Sequence, residues 1–307
     1  MPRFIDDIRC GKLAMPWFVA PGKVRDWAAH TGRVMDLLRT DTQLPVLLID
    51  NVSEYYYQSD QEYWDLGRDF PNMAPPFQSW WSEHKIPPRI HSKEKGDTEL
   101  HPGVRHGRVG ILTIAIDAQN EARGEGIPAN AKWILWSELF VDLGANEYTA
   151  QGTNGQIFLA IDEQGALIDR PWMQSFDGGL YTEVMRSYMT WLHPMLLAVS
   201  FLHCRNVTLV DNPVPPKLAK RYRERHGVTP RPYKTLVIEP LKEILRTQGR
   251  SGSVGLAKAM HICRGHFKDY RTGRGLFGKY HQLVWQPMLV RGSKGEKAPP
   301  REMEVKV

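Results

Sequence analysis

Three apolar stretches set the expected fold class: VGILTIAID at 109–117, WILWSELFVD at 133–142 and IFLAID at 157–162. Each is rich in branched or aromatic residues and ends in an aspartate, which is typical of a strand that runs into a turn. Glycine and asparagine residues punctuate the segment between the second and third stretches, and this favours antiparallel neighbours. We therefore predict a central, mainly antiparallel sheet.

The segment before these strands predicts a helix and a further strand. Apolar residues recur at mostly helical spacing in 22–38, and a short apolar strand follows at 45–50. After the strands, apolar residues surround the whole helix axis from 182 to 203, so this helix should be buried, with Pro194 kinking it or splitting it. The predicted class is α+β: a mainly antiparallel sheet packed on a buried helix, with a basic C-terminal hairpin module.

Composition limits the class of protein. A hydrophobic fraction of 42% and ten Trp in 307 residues indicate a chain that folds. The cysteines Cys10, Cys204 and Cys263 are odd in number and far apart, which favours reduced thiols and a cytoplasmic location. The longest uncharged apolar run, 189–204, falls short of the ~20 residues that a membrane span needs, and the first residues do not resemble a signal peptide. We expect no membrane partner.

The chain is expected to divide into three parts. Residues 1–210 should form an α+β core domain, in which the segment near 85–107, with prolines, charges and three histidines, is predicted to be a mobile surface loop. Residues 211–292 should form the basic module. Residues 293–307 carry Lys, Glu and Pro with few apolar residues, which predicts a disordered tail.

A basic run at 217–226, KLAKRYRERH, is the main indication of a partner. Its cations occur at helical spacing with Tyr222 between them, as expected of a helix that lies along a phosphate backbone, and a solvated linker helix is the alternative. The net charge of +6 is moderate, so the distribution of charge carries the argument. The predicted partner is nucleic acid, RNA or DNA. The residues expected to bind it here are Lys217, Lys220, Arg221, Arg223 and Arg225, with Arg231, Lys234, Arg246 and Arg250 continuing the field.

The segment 260–291 holds the candidate catalytic residues. Alternating patterns at 260–266 and 282–290 predict two strands joined by a Gly-rich stretch. If His266 and His281 meet, one imidazole could act as base and the other as acid on a phosphodiester, with Lys279 beside them and no metal or cofactor required. The protein would then be a metal-independent, ribonuclease-like enzyme; plain anion binding is the alternative. The cations expected to hold the anion are Arg264, Lys268, Arg271, Arg274 and Arg291.

Three other interpretations remain open. Carboxylates at strand ends could hold magnesium for a nuclease, although they are also ordinary turn formers; they are Asp117, Glu138, Asp142 and Asp162. Four histidines could ligate zinc, although their spacing fits no standard site; they are His84, His91, His101 and His106. Finally, the aromatic segment 55–81 could bind a protein partner in a non-enzymatic viral accessory or virion-associated protein, if its rings are exposed.

The C-terminal half resembles a family of uncharacterised bacteriophage and prophage proteins. The resemblance rests on LHCRNV from Leu202, the basic run at 220–225, YKTLVI from Tyr233, HICRGHFKDY from His261 and GLFGK from Gly275. It extends more weakly to PPFQSWWSE at 75–83, and Leu289 departs from a histidine found in many relatives. The resemblance implies a viral or mobile-element origin and implies no activity.

Overall fold

The computed structural model describes most of the chain up to residue 291. The described ranges are 3–11, 24–58, 64–86, 89–92, 96–99, 107–119, 127–142, 151–168, 171–175, 181–238, 261–263, 265–275, 281–286 and 289–291. The helices are α1 (Phe4–Arg9), α2 (Val24–Thr40), α3 (Asp50–Gln58), α4 (Tyr181–Leu202) and α5 (Pro216–His226). No helix in these ranges combines the length and apolar composition needed to cross a membrane.

Most of the described strands form one sheet. The strands are β1 (Val46–Leu48), β2 (Ser79–Ile86), β3 (Arg89–Ser92), β4 (Gly96–Glu99), β5 (Gly107–Asp117), β6 (Trp133–Asp142), β7 (Gln151–Ile161), β8 (Trp172–Ser175), β9 (Val207–Asn212), β10 (Tyr233–Ile238), β11 (His261–Cys263), β12 (His266–Asp269), β13 (Leu283–Gln286) and β14 (Leu289–Arg291). Eight of them lie side by side in the order β8-β7-β6-β5-β2-β1-β10-β9.

Pairing within this sheet follows the prediction for its larger part. From β2 through β5, β6 and β7 to β8, every neighbouring pair is antiparallel. The three quoted apolar stretches lie in β5, β6 and β7, and the α+β class is confirmed. The sheet is nonetheless mixed, because β1 pairs in parallel with both β2 and β10. Parallel neighbours far apart in sequence leave no local signal, so the sequence did not predict them.

Helices cover both faces of the sheet. Trp81 of β2 packs edge-on against Phe4 of α1, with ring centroids 6.1 Å apart, in a core that also includes Leu38 of α2. His84 lies three residues further along the strand and therefore on the opposite face, where its ring is 6.3 Å from that of Tyr57 in α3. The sequence predicted the helix layer of one face only.

A buried carboxylate holds α1 against the sheet. The side chain of Glu83 accepts hydrogen bonds from the backbone N–H groups of Phe4 and Ile5 and from the indole N–H of Trp81, at 3.3, 3.1 and 2.9 Å. The carboxylate thus provides acceptors for two N–H groups at the start of the short helix that have no partner within it. Burial raises the pKa of Glu83, although the same donors and Arg3 act in the opposite direction.

The described side chains of the long helix α4, from residue 188 onward, are mostly buried as predicted. Leu196 and Phe201 lie in the core, but Trp191 is only half-buried. Pro194 does not split the helix, which continues from Tyr181 to Leu202. Tyr56 Oη of α3 and His193 Nδ1 of α4 share a hydrogen bond of 2.9 Å, so the two helices on this face are joined by a polar contact as well as by packing.

The predicted loop near 85–107 contains regular structure. The strand β2 reaches Ile86, and β3 pairs with β4 as an antiparallel hairpin inside the segment. The prediction of an irregular loop is therefore wrong for these residues, because charged and proline-flanked strands show too little apolar alternation to be recognised. The expected tail at 293–307 lies outside the described residues.

The chain divides into two compact units, but not at the predicted boundary. One unit comprises Met1–Leu202 and Leu209–Leu236, and the other His203–Thr208 and Val237–Val307. The basic helix α5 therefore belongs to the first unit, whereas the predicted module placed it with the C-terminal hairpin. That hairpin exists: β11 pairs with β14 and β12 with β13, and both ladders share one register.

Candidate nucleic-acid interface

The basic run folds as α5, with both ends defined by local sequence. Pro216 occupies the first helical position, where its missing N–H and fixed backbone angle fit. Gly227 ends the helix in the left-handed conformation, at φ 74°, and its N–H donates to Arg223 O at 2.8 Å. Cations in the last turn complement the negative end of the helix dipole.

One side of α5 is anchored to the rest of the first unit. Ala219, Tyr222 and His226, which recur at helical spacing, are half-buried. Within α5 the rings of Tyr222 and His226 contact each other at a tilt of 52°, with centroids 4.5 Å apart, and Tyr222 Oη lies 3.9 Å from Cys10 Sγ at the end of α1. These contacts determine which side of the helix turns outward.

The cations occupy the outward side. Positions 217, 220, 221 and 225 share one side of a helix with 3.6 residues per turn, together with Glu224, and Arg223 lies between this side and the half-buried one. All five of these side chains are exposed, and no residue of α5 is buried. We call them the α5 cation stripe; they are Lys217, Lys220, Arg221, Arg223 and Arg225.

The stripe keeps a strong net positive charge. Glu224 is the one carboxylate in α5, and its ion pair with Lys220 is long, at 3.9 Å, and exposed, so it contributes little stability. Five cations therefore face one carboxylate. Two cations expected to extend the stripe do not: Arg231 is buried, and Lys234 pairs with Asp211. Arg246 and Arg250 lie outside the described residues.

The structure does not bring the two candidate catalytic histidines together. His266 lies opposite Gln286 in the β12–β13 ladder, whereas His281 Nδ1 lies 3.3 Å from the carbonyl of Arg271. The five steps from residue 266 to residue 271, along which β12 ends at Asp269 and the Tyr270 N–H still donates to the carbonyl of Gln282, correspond to about 17 Å along the hairpin. That separation is too large for both rings to act on one phosphodiester in this arrangement. The prediction assumed that histidines on neighbouring strands meet, but register decides whether they do.

The remaining cations of the hairpin are less suited to hold an anion than expected. Arg271 makes a two-point contact with Asp269, at 2.8 Å and 3.1 Å, and this contact lowers the pKa of the carboxyl group. Lys268 is half-buried, and Arg274 is exposed. Arg264 and Lys279, and the side chain of Arg291, lie outside what the structure describes.

The described residues give no geometric support to the magnesium site or to the zinc site. Asp142 binds Arg108 at 2.7 Å, Asp117 pairs with Lys132 at 3.2 Å, and Asp162 accepts from backbone N–H groups in a turn. Among the residues that the structure describes, no three His, Cys, Asp or Glu side chains group closely enough to hold a metal ion. His84 is buried in the sheet, and the side chains of His91, His101 and His106 lie outside the described part.

The aromatic segment 55–81 is part of the core. Tyr56, Tyr57, Phe70, Trp80 and Trp81 are all buried. Tyr55 and Trp64 are half-buried and stack edge-on with ring centroids 6.2 Å apart. The protein-partner hypothesis required exposed rings, and these rings do not meet that condition.

One group of charged residues was missed by the sequence analysis. Arg3, Arg9 and Arg231 gather around Asp6, although the third of them is more than 200 positions away in the sequence. No motif connects them, and only the packing of α1 beside the start of β10 makes them neighbours.

No protein-family model, curated protein or solved structure matches this chain.

Proposed function

We propose that this protein binds nucleic acid, RNA or DNA, through the α5 cation stripe. The observation that supports the proposal is the separation of the two sides of α5. Its half-buried side includes Tyr222, which contacts Cys10, and its opposite side presents four cations to solvent, with Arg223 exposed between the two sides. A helix held in this way offers charge at fixed positions, so that less conformational freedom is lost on binding than for a flexible basic arm.

The dimensions of the stripe suit a phosphate backbone. An 11-residue helix is about 16 Å long, and a strand of duplex DNA carries one phosphate per about 3.4 Å of helix axis. The stripe can therefore follow about four phosphates. Because such contacts reach the backbone and not the base edges, binding through α5 is expected to depend weakly on sequence.

The proposal concerns binding and not cleavage. The acid–base chemistry expected of His266 and His281 needs both rings at one phosphodiester, and about 17 Å of hairpin separates their positions. A helix lying along a backbone does not itself supply a general base.

The test compares two charge-matched variants by fluorescence anisotropy with labelled RNA and DNA. One replaces Lys220, Arg221 and Arg225 of the stripe by Gln. The control replaces three exposed arginines elsewhere in the same unit by Gln, namely Arg33, Arg39 and Arg68. Loss of three phosphate contacts should lower the slope of log affinity against log salt by about 2–3, whereas the control should keep the wild-type slope.

Two outcomes would contradict the proposal. If the wild-type protein binds neither RNA nor DNA at low salt, α5 is a solvated helix. If both triple variants lose affinity and slope equally, binding reflects net charge and not the stripe. Thermal melting should be similar for all three proteins, because the substituted side chains are exposed.

A further inference from the structure

Three arginines share one buried carboxylate in the first unit. Arg3 Nη2 lies 3.4 Å from Asp6 Oδ2, and Arg9 Nη1 lies 3.2 Å from Asp6 Oδ1. The backbone N–H of Arg231 also donates to Asp6 Oδ1, at 3.2 Å, and its side chain donates to the carbonyl of Leu38 at 2.8 Å. We call Arg3, Arg9 and Arg231 the arginine cluster.

The cluster holds more donors than acceptors. Arg3 Nη1, Arg9 Nε, and both Nε and Nη1 of Arg231 are shielded from solvent and make no hydrogen bond to the described residues. Arg231 is only 5% exposed. A guanidinium group has five N–H donors and cannot lose its charge, and burying charged donors without acceptors is among the most unfavourable arrangements in a protein. An acceptor that reaches these groups is therefore expected.

The nearby carboxylates do not supply that acceptor. Both oxygens of Glu83 accept from the start of α1 and from Trp81. Asp41 Oδ1 accepts from the backbone N–H groups of residues 43 and 44. Burial and the neighbouring charge of Arg9 lower the pKa of Arg231 to about 10, even though Asp41 and Asp6 act in the opposite direction. The cluster is therefore short of hydrogen-bond acceptors.

We infer that the arginine cluster binds a phosphate group. The guanidinium groups of Arg3 and Arg9 contact Asp6, and the three arginines together keep four shielded N–H groups without an acceptor among the described residues. The planar N–H pairs of arginine suit the oxygens of a phosphate, which can accept from several donors at once. The side chains of Arg3 and Arg9 keep 10% and 11% of their surface exposed, and they mark the side from which the group enters.

Two sources can present this group. One is free inorganic phosphate or a small phosphate ester. The other is the terminal phosphate of a nucleic-acid strand, because Arg9 precedes Cys10, which contacts Tyr222 on the anchored side of α5. The second source rests on the proposed function, and the first does not.

The test is isothermal titration of the full chain with inorganic phosphate at low chloride concentration. The wild-type protein should bind one phosphate, and Arg9→Gln should bind it about tenfold more weakly or worse, since a charge-assisted contact is removed. The control is Arg68→Gln, which removes an exposed arginine paired with Asp69 and should bind as the wild type does. If circular dichroism shows that Arg9→Gln is unfolded, Arg3→Gln replaces it.

Absence of phosphate binding by the wild type, or equal affinity in the wild type and the cluster variant, would overturn the inference. A second arm compares an oligonucleotide with a 5′-phosphate to the same strand with a 5′-hydroxyl. A preference for the phosphorylated strand that disappears in Arg9→Gln identifies the strand end as the source; equal affinity for both strands, with inorganic phosphate bound, identifies the free anion. Phosphate binding without any oligonucleotide binding would refute the function proposed for α5 and leave the arginine cluster supported.

Discussion

At the residue scale, packing around Trp81 explains why a glycine lies inside the strand β5. Gly110 is opposite Glu83 and Phe140 in the sheet. A Cβ atom at this position would lie 2.1 Å from Cζ2 of Trp81, a separation that real atoms do not adopt. The indole cannot move away freely, because Phe4 and Phe140 pack against it with ring centroids 6.1 and 5.3 Å away.

Replacing Gly110 by Ala should therefore destabilise the protein. Overpacking a well-filled core costs about 1–3 kcal/mol, and the fixed indole places this site at the upper end. Urea denaturation of wild type and variant measures the change. Gly32→Ala is the control: Gly32 is an exposed position in α2 with no atom within 4 Å of its Cβ, so alanine there should stabilise by about 0.5–1 kcal/mol. Equal stability of Gly110→Ala and wild type would show that the indole can shift.

At the element scale, α4 shows what composition can predict about a helix. Apolar residues on all sides predicted burial, and the second half of α4 is buried. Composition did not decide whether Pro194 would kink the helix or split it, and it did not predict that Trp191 would be half-buried. Those outcomes depend on neighbours that the helix sequence does not contain.

Leu196→Ala tests the role of α4 in the core. Leu196 is fully buried, so removing its side chain should lower the free energy of unfolding by about 2–5 kcal/mol. Chemical denaturation followed by circular dichroism measures this change. Leu218→Ala in α5 is the matched control, since Leu218 is half exposed and should cost far less. A loss below about 0.5 kcal/mol at position 196 would show that α4 is peripheral.

In the second unit, the buried side chain of Asn206 makes two hydrogen bonds between the segment 203–208 and β13. The amide of Asn206 donates to the carbonyl of Trp285 at 2.9 Å and accepts from its N–H at 3.0 Å, and Asn206 is buried. Asn206→Ala removes both contacts, and each buried backbone group that loses its partner costs about 1–3 kcal/mol. Faster hydrogen exchange at the Trp285 amide is the expected result.

The control for this variant is Asn212→Ala in the first unit. The amide of Asn212 also donates to a backbone carbonyl, that of Val210, and to the hydroxyl of Thr235, both at 3.1 Å; the first contact is exposed and the second is partly buried. Since neither contact is fully buried, the loss of stability should be smaller than for Asn206→Ala. Unchanged exchange at Trp285 in Asn206→Ala would mean that the second unit does not depend on this contact.

At the scale of the whole molecule, the buried His84 and the half-buried His193 should make stability depend on pH. Burial lowers the pKa of His84 from 6.5 to about 3 and that of His193 to about 4. Below pH 6.5 these two imidazoles are protonated in the unfolded chain but stay neutral in the folded protein. The contribution of these histidines is therefore complete above pH 6.5 and is lost as the pH falls toward 4 and then 3.

Removing one of these histidines should flatten the acid limb of the stability curve. Each proton that binds only to the unfolded chain makes the free energy of unfolding fall by about 1.4 kcal/mol for every unit by which the pH decreases. His84→Phe should therefore make the slope of the stability curve between pH 6 and 4 shallower by about this amount. The two ring nitrogens of His84 have no hydrogen-bond partner among the described residues, so phenylalanine should be tolerated at pH 7. If the stability curves of wild type and variant are parallel, the imidazole of His84 takes up its proton in the folded protein as readily as in the unfolded chain.

What the sequence alone determined is local. Alternation and apolar runs predicted the strands β5, β6 and β7, the burial of α4 and the C-terminal hairpin, because burial against a sheet imposes a periodicity that neighbouring residues record. Spacing also showed that the cations of α5 lie on a helix. These features depend on residues a few positions apart.

Tertiary structure alone decided the features that depend on distant residues. The parallel pairing of β1 with β2 and β10 and the burial of the aromatic segment left no pattern in the chain. Register separated His266 from His281, and the packing of α1 brought Arg3 and Arg9 to Arg231. The anchoring of Tyr222 near Cys10 decided which side of α5 faces solvent. In each case long-range contacts, which no local spacing encodes, choose among arrangements that the sequence pattern permits equally.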